Sequence, residues 1–143
     1  MNKKKLILPA TVSLLIIALI KSLELIRDPL RALGGASIYS PIEFIIVLGL
    51  PAAPIIYGWI RGDKIGSIMI GTVPMAGFIL GGLLISGGSS NLPVMVRSIA
   101  YVGSLSMAGG LGGDVASKRE LKYLLVAIWL GILWILSLLS GID

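Results

Sequence analysis

Residues 48–58 read LGLPAAPIIYG, an apolar run carrying two prolines three positions apart. With its flanks, from Ile42 to Ile60, the run is long enough to cross a hydrocarbon layer of about 30 Å as a helix. Pro51 and Pro54 each lack an amide proton, and each leaves a carbonyl about one turn earlier, near Val47 and Leu50, without its helical partner. In lipid those carbonyls must be satisfied by something else. One reading is a discontinuous helix whose freed carbonyls line a cation or substrate site. The other is a kink packed against neighbouring helices and sealed by a hydroxyl or a water. No acidic residue lies at that depth to help hold a cation, which favours the kink. Pro74, in the next apolar run, bends its helix at a comparable depth, so the two bends become a candidate cavity if they face one another.

The rest of the chain has the same character. Its 143 residues are 56% hydrophobic and only 13% charged, against about a quarter charged in a soluble domain, and the mean hydropathy is +0.99. Five apolar segments, approximately 6–26, 41–60, 65–86, 93–113 and 118–140, are each long enough to span a bilayer as a helix. The expected fold is therefore an all-α polytopic bundle, a single transmembrane domain of five helices in the cell membrane. The first segment follows MNKKK, a basic start without a cleavage site behind it, and reads as a retained signal anchor. Its end is interrupted by Lys21 and Glu24. The alternating charges of Lys21, Glu24, Arg27 and Asp28 read as a solvated helix end.

Charge placement gives an orientation. With the N-terminus in the cytoplasm, the inside carries Lys3, Lys4, Lys5, Arg61, Lys64, Lys118, Arg119 and Lys122, and the outside Lys21, Arg27, Arg31 and Arg97. That bias obeys the positive-inside rule and puts the C-terminus outside. The net charge of +5 is thus an orientation signal, and nucleic acid is not an expected partner. The partners to expect are the lipid bilayer and either further copies of the chain or other membrane subunits.

Capping chemistry marks the connections. Ser40, Pro41 and Glu43 fit a capping box opening the second helix, and Ser117 with Glu120 repeats the device for the fifth. Asp63 caps the third helix, so RGDK predicts a tight hairpin. Ser90 or Asn91 caps the fourth, and residues 27–40 form the longest connection, with a short surface helix begun at Asp28–Pro29 and ended by Gly34 and Gly35.

Two sets of small residues predict close helix contacts. Ala100, Ser104, Ala108 and Gly112 recur every four positions in the fourth helix, and Gly77 and Gly81 form a GxxxG in the third. Each stripe can bury the other within one chain. Glu43 and Arg97 are the ionisable residues inside spans two to five that lie away from the span ends, at similar depth near the outer boundary. They form a candidate gate or ion pair. The alternative makes Glu43 a capping residue and lets Arg97 snorkel to the headgroups.

The sequence has no Cys and no His, which removes thiol nucleophiles, imidazole bases and the usual zinc, iron–sulfur and haem ligands. No cofactor and no metal is expected. Gln is absent and Asn occurs only at Asn2 and Asn91, a scarcity of thermolabile residues found in thermophile proteins. No G-x-S-x-G, P-loop or HExxH motif is present, and GGLGGD at 109–114 reads as a helix end. Central depths hold hydroxyls such as Thr11, Ser13, Thr72, Ser104 and Ser106, which disfavours a proton-coupled pump. Two functions are expected: a transporter or channel-type subunit for a small solute or ion acting as a homo-oligomer, or a non-catalytic subunit of a larger membrane complex. An enzyme is not expected.

Overall fold

The computed structural model describes the backbone of residues 3–34, 36–85 and 92–140, with side chains for most of them; Glu43 and residues 78–95 are among the exceptions. All of the secondary structure in these residues is helical. The elements are α1 (Lys3–Gly34), α2 (Ala36–Arg61), α3 (Lys64–Ile85), α4 (Leu92–Ala116) and α5 (Leu121–Ser140). Among the described residues, α1, α3, α4 and α5 touch in that order to form a row, and α2 packs against all four. Windows in α1, α2 and α5 (Leu6–Leu23, Phe44–Arg61 and Leu121–Leu139) are long and apolar enough to cross a membrane.

Two boundaries differ from the sequence expectation. The helix predicted over 6–26 runs on to Gly34, taking Pro29 into its interior. Leu30, Arg31, Ala32 and Leu33 are strong helix formers and carry the coil past the proline. The next helix already begins at Ala36, so Ser40, Pro41 and Glu43 lie inside it and do not form a capping box at its start. The long connection expected over 27–40 is thus mostly helix. The connection between α3 and α4, with its Ser90 or Asn91 cap, lies outside the described residues.

Glycines set the distances in the row. A Cβ on Gly71 of α3 would collide with the carbonyl of Gly109 on α4, and one on Gly109 would lie 2.8 Å from the Gly71 oxygen. One turn away, a Cβ on Gly113 would lie 2.8 Å from the oxygen of Ser67, which is fully buried. The two backbones therefore touch, a spacing that only missing side chains permit. α2 joins at the same level, since a Cβ on Gly58 would meet the Gly113 oxygen.

Aromatic side chains tie α5 to α4. The Trp134 indole is buried and donates to the Leu105 carbonyl at 2.9 Å, and the Tyr101 hydroxyl donates towards the Leu138 and Ser137 carbonyls at 2.9 and 3.0 Å. Met75, Leu105 and Trp134 form one apolar cluster, and Ile55, Ala116 and Ala127 a second nearer the other end.

These contacts predict opposite signs for the same substitution at different glycines. Gly71→Ala forces the α3–α4 crossing apart and is expected to destabilise by about 1–3 kcal/mol. Gly103→Ala meets nothing within 4 Å and is expected to stabilise by about 0.5–1 kcal/mol through helix propensity. Thermal unfolding of the two variants beside the parent chain checks both; equal effects would contradict the backbone contact.

Candidate functional site

The polar chemistry of the described residues concentrates where the α2–α3 and α4–α5 connections meet the start of α1. Gly62 ends α2 in the left-handed region, at φ +62°, and its amide donates to the Gly58 carbonyl at 2.8 Å. Glycine adopts this conformation without penalty. Asp63 follows at once and caps α3 as the sequence predicts, accepting from the Gly66 amide at 3.1 Å. Its second carboxylate oxygen accepts from the Tyr57 hydroxyl, also at 3.1 Å. Pro9 of α1 presses on this corner, where a Cβ on Gly66 would fall 2.8 Å from its ring.

The α4–α5 connection is built differently from its predicted capping box. Ser117 closes α4, its amide donating to Gly113 and its hydroxyl to the Asp114 carbonyl at 2.6 Å. α5 starts on the main chain of Glu120, whose carbonyl accepts from Tyr123 and Leu124. Glu120 therefore stands at the cap position and not at the third residue of the helix. The reason is Arg119, at φ 57° the one non-glycine residue with positive φ among those described. That conformation aims its guanidinium at α2, where Nε donates to the Trp59 carbonyl at 3.0 Å and Nη2 to the Ile60 carbonyl. A left-handed non-glycine residue costs about 1–2 kcal/mol; a cation bonded to the last carbonyls of a helix offsets it.

Lys64 pairs with Asp114 at 3.2 Å, linking α3 to α4. The Lys118 and Lys122 ammonium groups lie 4.3 and 4.9 Å from the centre of the Tyr123 ring, and Lys122 also pairs with the exposed Glu120 at 2.8 Å. Such exposed pairs are each worth no more than about 1 kcal/mol. Between α1, α2 and α3 a cleft of about 500 Å³ is lined by Leu8, Tyr57, Arg61, Gly62, Asp63, Lys64 and Ile65. Among the described residues Arg61 is in no salt bridge. The arrangement offers an accessible guanidinium and a hydroxyl oxygen beside apolar walls, a set suited to binding an anion.

The residues singled out from the sequence lie elsewhere. Arg97 is exposed on α4, and the Glu43 side chain is outside the described residues, so the two are not seen together. Pro51, Pro54 and Pro74 are buried. Pro51 turns towards α5, where with Gly131 it lines an apolar groove of about 330 Å³. Gly77 packs on Ile17 of α1, where a Cβ would stand 3.0 Å from the isoleucine methyl; Gly81 is outside the described side chains. On α4, Ala100 and Ser104 are exposed, Ala108 is half-buried and Gly112 is buried against Ile55. The α3–α4 contact uses Gly109 and Gly113 instead, one position further along. Sequence reasoning missed this register, although Ser67 and Gly71 share its four-residue spacing, and it missed the role of Arg119, for which no local signal exists.

Comparison with protein-family models, with curated proteins and with solved structures finds no match.

Arg119→Ala is expected to cost about 1–2 kcal/mol, the low end for charged hydrogen bonds because the group is exposed. Arg119→Lys, which keeps the charge but not the fork, should recover less than half of it. Denaturant midpoints of the two variants check this, and an unchanged Arg119→Ala would remove the guanidinium from the stability of the α2 end.

Proposed function

We propose that the chain is a multi-pass protein of the cell membrane, with five spans and its basic end in the cytoplasm, and that it acts as a non-catalytic subunit of a membrane assembly. The observation that carries this reading is the backbone contact of α3 with α4. Gly71 and Gly109 make that contact, and two hydroxyls nearby are spent on helix carbonyls, Thr72 on Ile68 at 2.9 Å and Ser13 on Met69 at 3.4 Å, while the buried Ser106 hydroxyl has no partner among the described residues. Among the described residues this crossing leaves no space between α3 and α4 and carries no titratable side chain, while the outer faces of the helices offer large apolar surfaces: Leu14 and Leu15 on α1, Met107 on α4 and Trp129 on α5 are each more than 60% exposed. The charge bias of the ends supports the orientation.

A second reading is transport of a small solute or ion by a homo-oligomer. It is favoured by α4, whose Arg97, Ala100 and Ser104 face away from the core of their own chain, so that a path would run between copies.

The two separate on the particle obtained by gentle extraction from native membranes. The subunit reading expects other polypeptides at fixed stoichiometry. A homogeneous multiple of the 15.0 kDa chain, with flux in liposomes abolished by Arg97→Ala, would replace it by the transport reading.

A further inference from the structure

We propose that the cleft between α1, α2 and α3 at the basic end holds the headgroup of an anionic phospholipid. The inference rests on the membrane reading above and names a ligand for the site already described. At about 500 Å³ the cleft has the size of small-molecule sites generally, about 300–1,000 Å³. Its walls are of two kinds. Leu8 on α1 and Ile65 on α3 are 43% and 50% exposed, and they open onto the apolar outer surface of the bundle. Arg61, Asp63 and Lys64 line the same space from the α2–α3 turn. A ligand with a charged head and an apolar tail satisfies both walls; a soluble anion leaves Leu8 and Ile65 in water.

The charges narrow the class further. Asp63 is engaged by the Tyr57 hydroxyl and the Gly66 amide, and Lys64 by Asp114. Arg61 is left, among the described residues, with its guanidinium outside any salt bridge. Lys64 is neutralised by Asp114, so among the described lining residues Arg61 offers one positive charge without an ion-pair partner. A monoanionic phosphodiester without an amine matches that charge, and a guanidinium fork spans two phosphate oxygens. A zwitterionic headgroup brings its own ammonium towards Arg61, a like-charge approach. Tyr57 gives its proton to Asp63 and keeps lone pairs for a headgroup hydroxyl, so a glycerol headgroup fits better than choline. The cytoplasmic leaflet, where anionic lipids attract basic segments, is the side on which the reading above places the cleft.

The test uses the purified full-length chain, delipidated in neutral detergent, with phosphatidylglycerol and phosphatidylcholine titrated separately and bound lipid counted by native mass spectrometry. Phosphatidylglycerol is expected to bind more tightly, and Arg61→Ala or Arg61→Gln to weaken it about fivefold, the worth of one basic residue near an anionic surface. Arg97→Ala, on the exposed face of α4 away from the cleft, should leave it unchanged. No preference for phosphatidylglycerol, or equal losses from Arg61→Ala and Arg97→Ala, overturns the inference, as does displacement of the lipid by millimolar inorganic phosphate, which would make the cleft a site for the free anion. Helical circular dichroism of each variant separates lost binding from lost fold. Resistance of the chain to alkaline carbonate extraction tests the membrane reading independently: a resistant chain without lipid preference sinks the lipid site alone, and an extracted chain sinks both.

Discussion

The contact of two bare backbones, Gly71 of α3 on Gly109 of α4, is the constraint from which the rest of the bundle follows. With no side chain between them, the helices approach as closely as their main chains allow, and the next turn repeats the approach with Ser67 on Gly113. The same Gly113 carbonyl receives Gly58 of α2. Three helices thus converge within one turn of each other, and where their ends fall is then fixed. The last carbonyls of α2 come to lie beside the α4–α5 connection, within reach of Arg119, and the first residue of α3 comes beside Asp114. Enlarging a glycine at the crossing would move these partners apart, so the electrostatics of the basic end are a consequence of packing deeper in the bundle.

Polar groups follow two patterns, one along the helices and one at the connections. Along the helices, most described side-chain donors are spent on main-chain carbonyls, as Thr11 on Ile7, Thr72 on Ile68, Ser104 on Tyr101 and Trp134 on Leu105, with the buried Ser106 hydroxyl as an exception. A hydroxyl bonded to a carbonyl of its own helix needs no water and no partner chain. At the connections Lys64 pairs with Asp114 at 3.2 Å and Lys122 with Glu120 at 2.8 Å. The strained residue, Arg119, also belongs there, held at the open end of a neighbouring helix by its guanidinium's bonds to the Trp59 and Ile60 carbonyls.

Helix order also separates central from peripheral helices. α2, α3 and α4 touch each other, whereas α1 reaches only α2 and α3, and α5 only α2 and α4, among the described residues. The two outer helices each leave an apolar groove beside α2, one at Gly49 and one at Gly131. Of these three clefts, the one beside Arg61 has charged walls, because it forms where the α2–α3 turn meets the start of α1.

Much of this was legible in the residues themselves. Window hydropathy and the spacing of the turns specify an all-helical chain, Asp63 announces the start of α3, and the clustering of Lys and Arg identifies the basic end; each depends on neighbours in sequence or on transfer energies that add along a segment. Helix continuity past Pro29 and Pro41 was not legible, since a proline breaks or bends a helix according to what packs around it. Nor was the facing of α4. Gly109 and Gly113 share a four-residue spacing with Ala108 and Gly112, and a shift of one position rotates the contact by about 100°. Both registers satisfy the same motif. Only the surface of α3, with Ser67 and Gly71 in place, decides which one closes, because close packing is a property of two surfaces and a sequence pattern describes one.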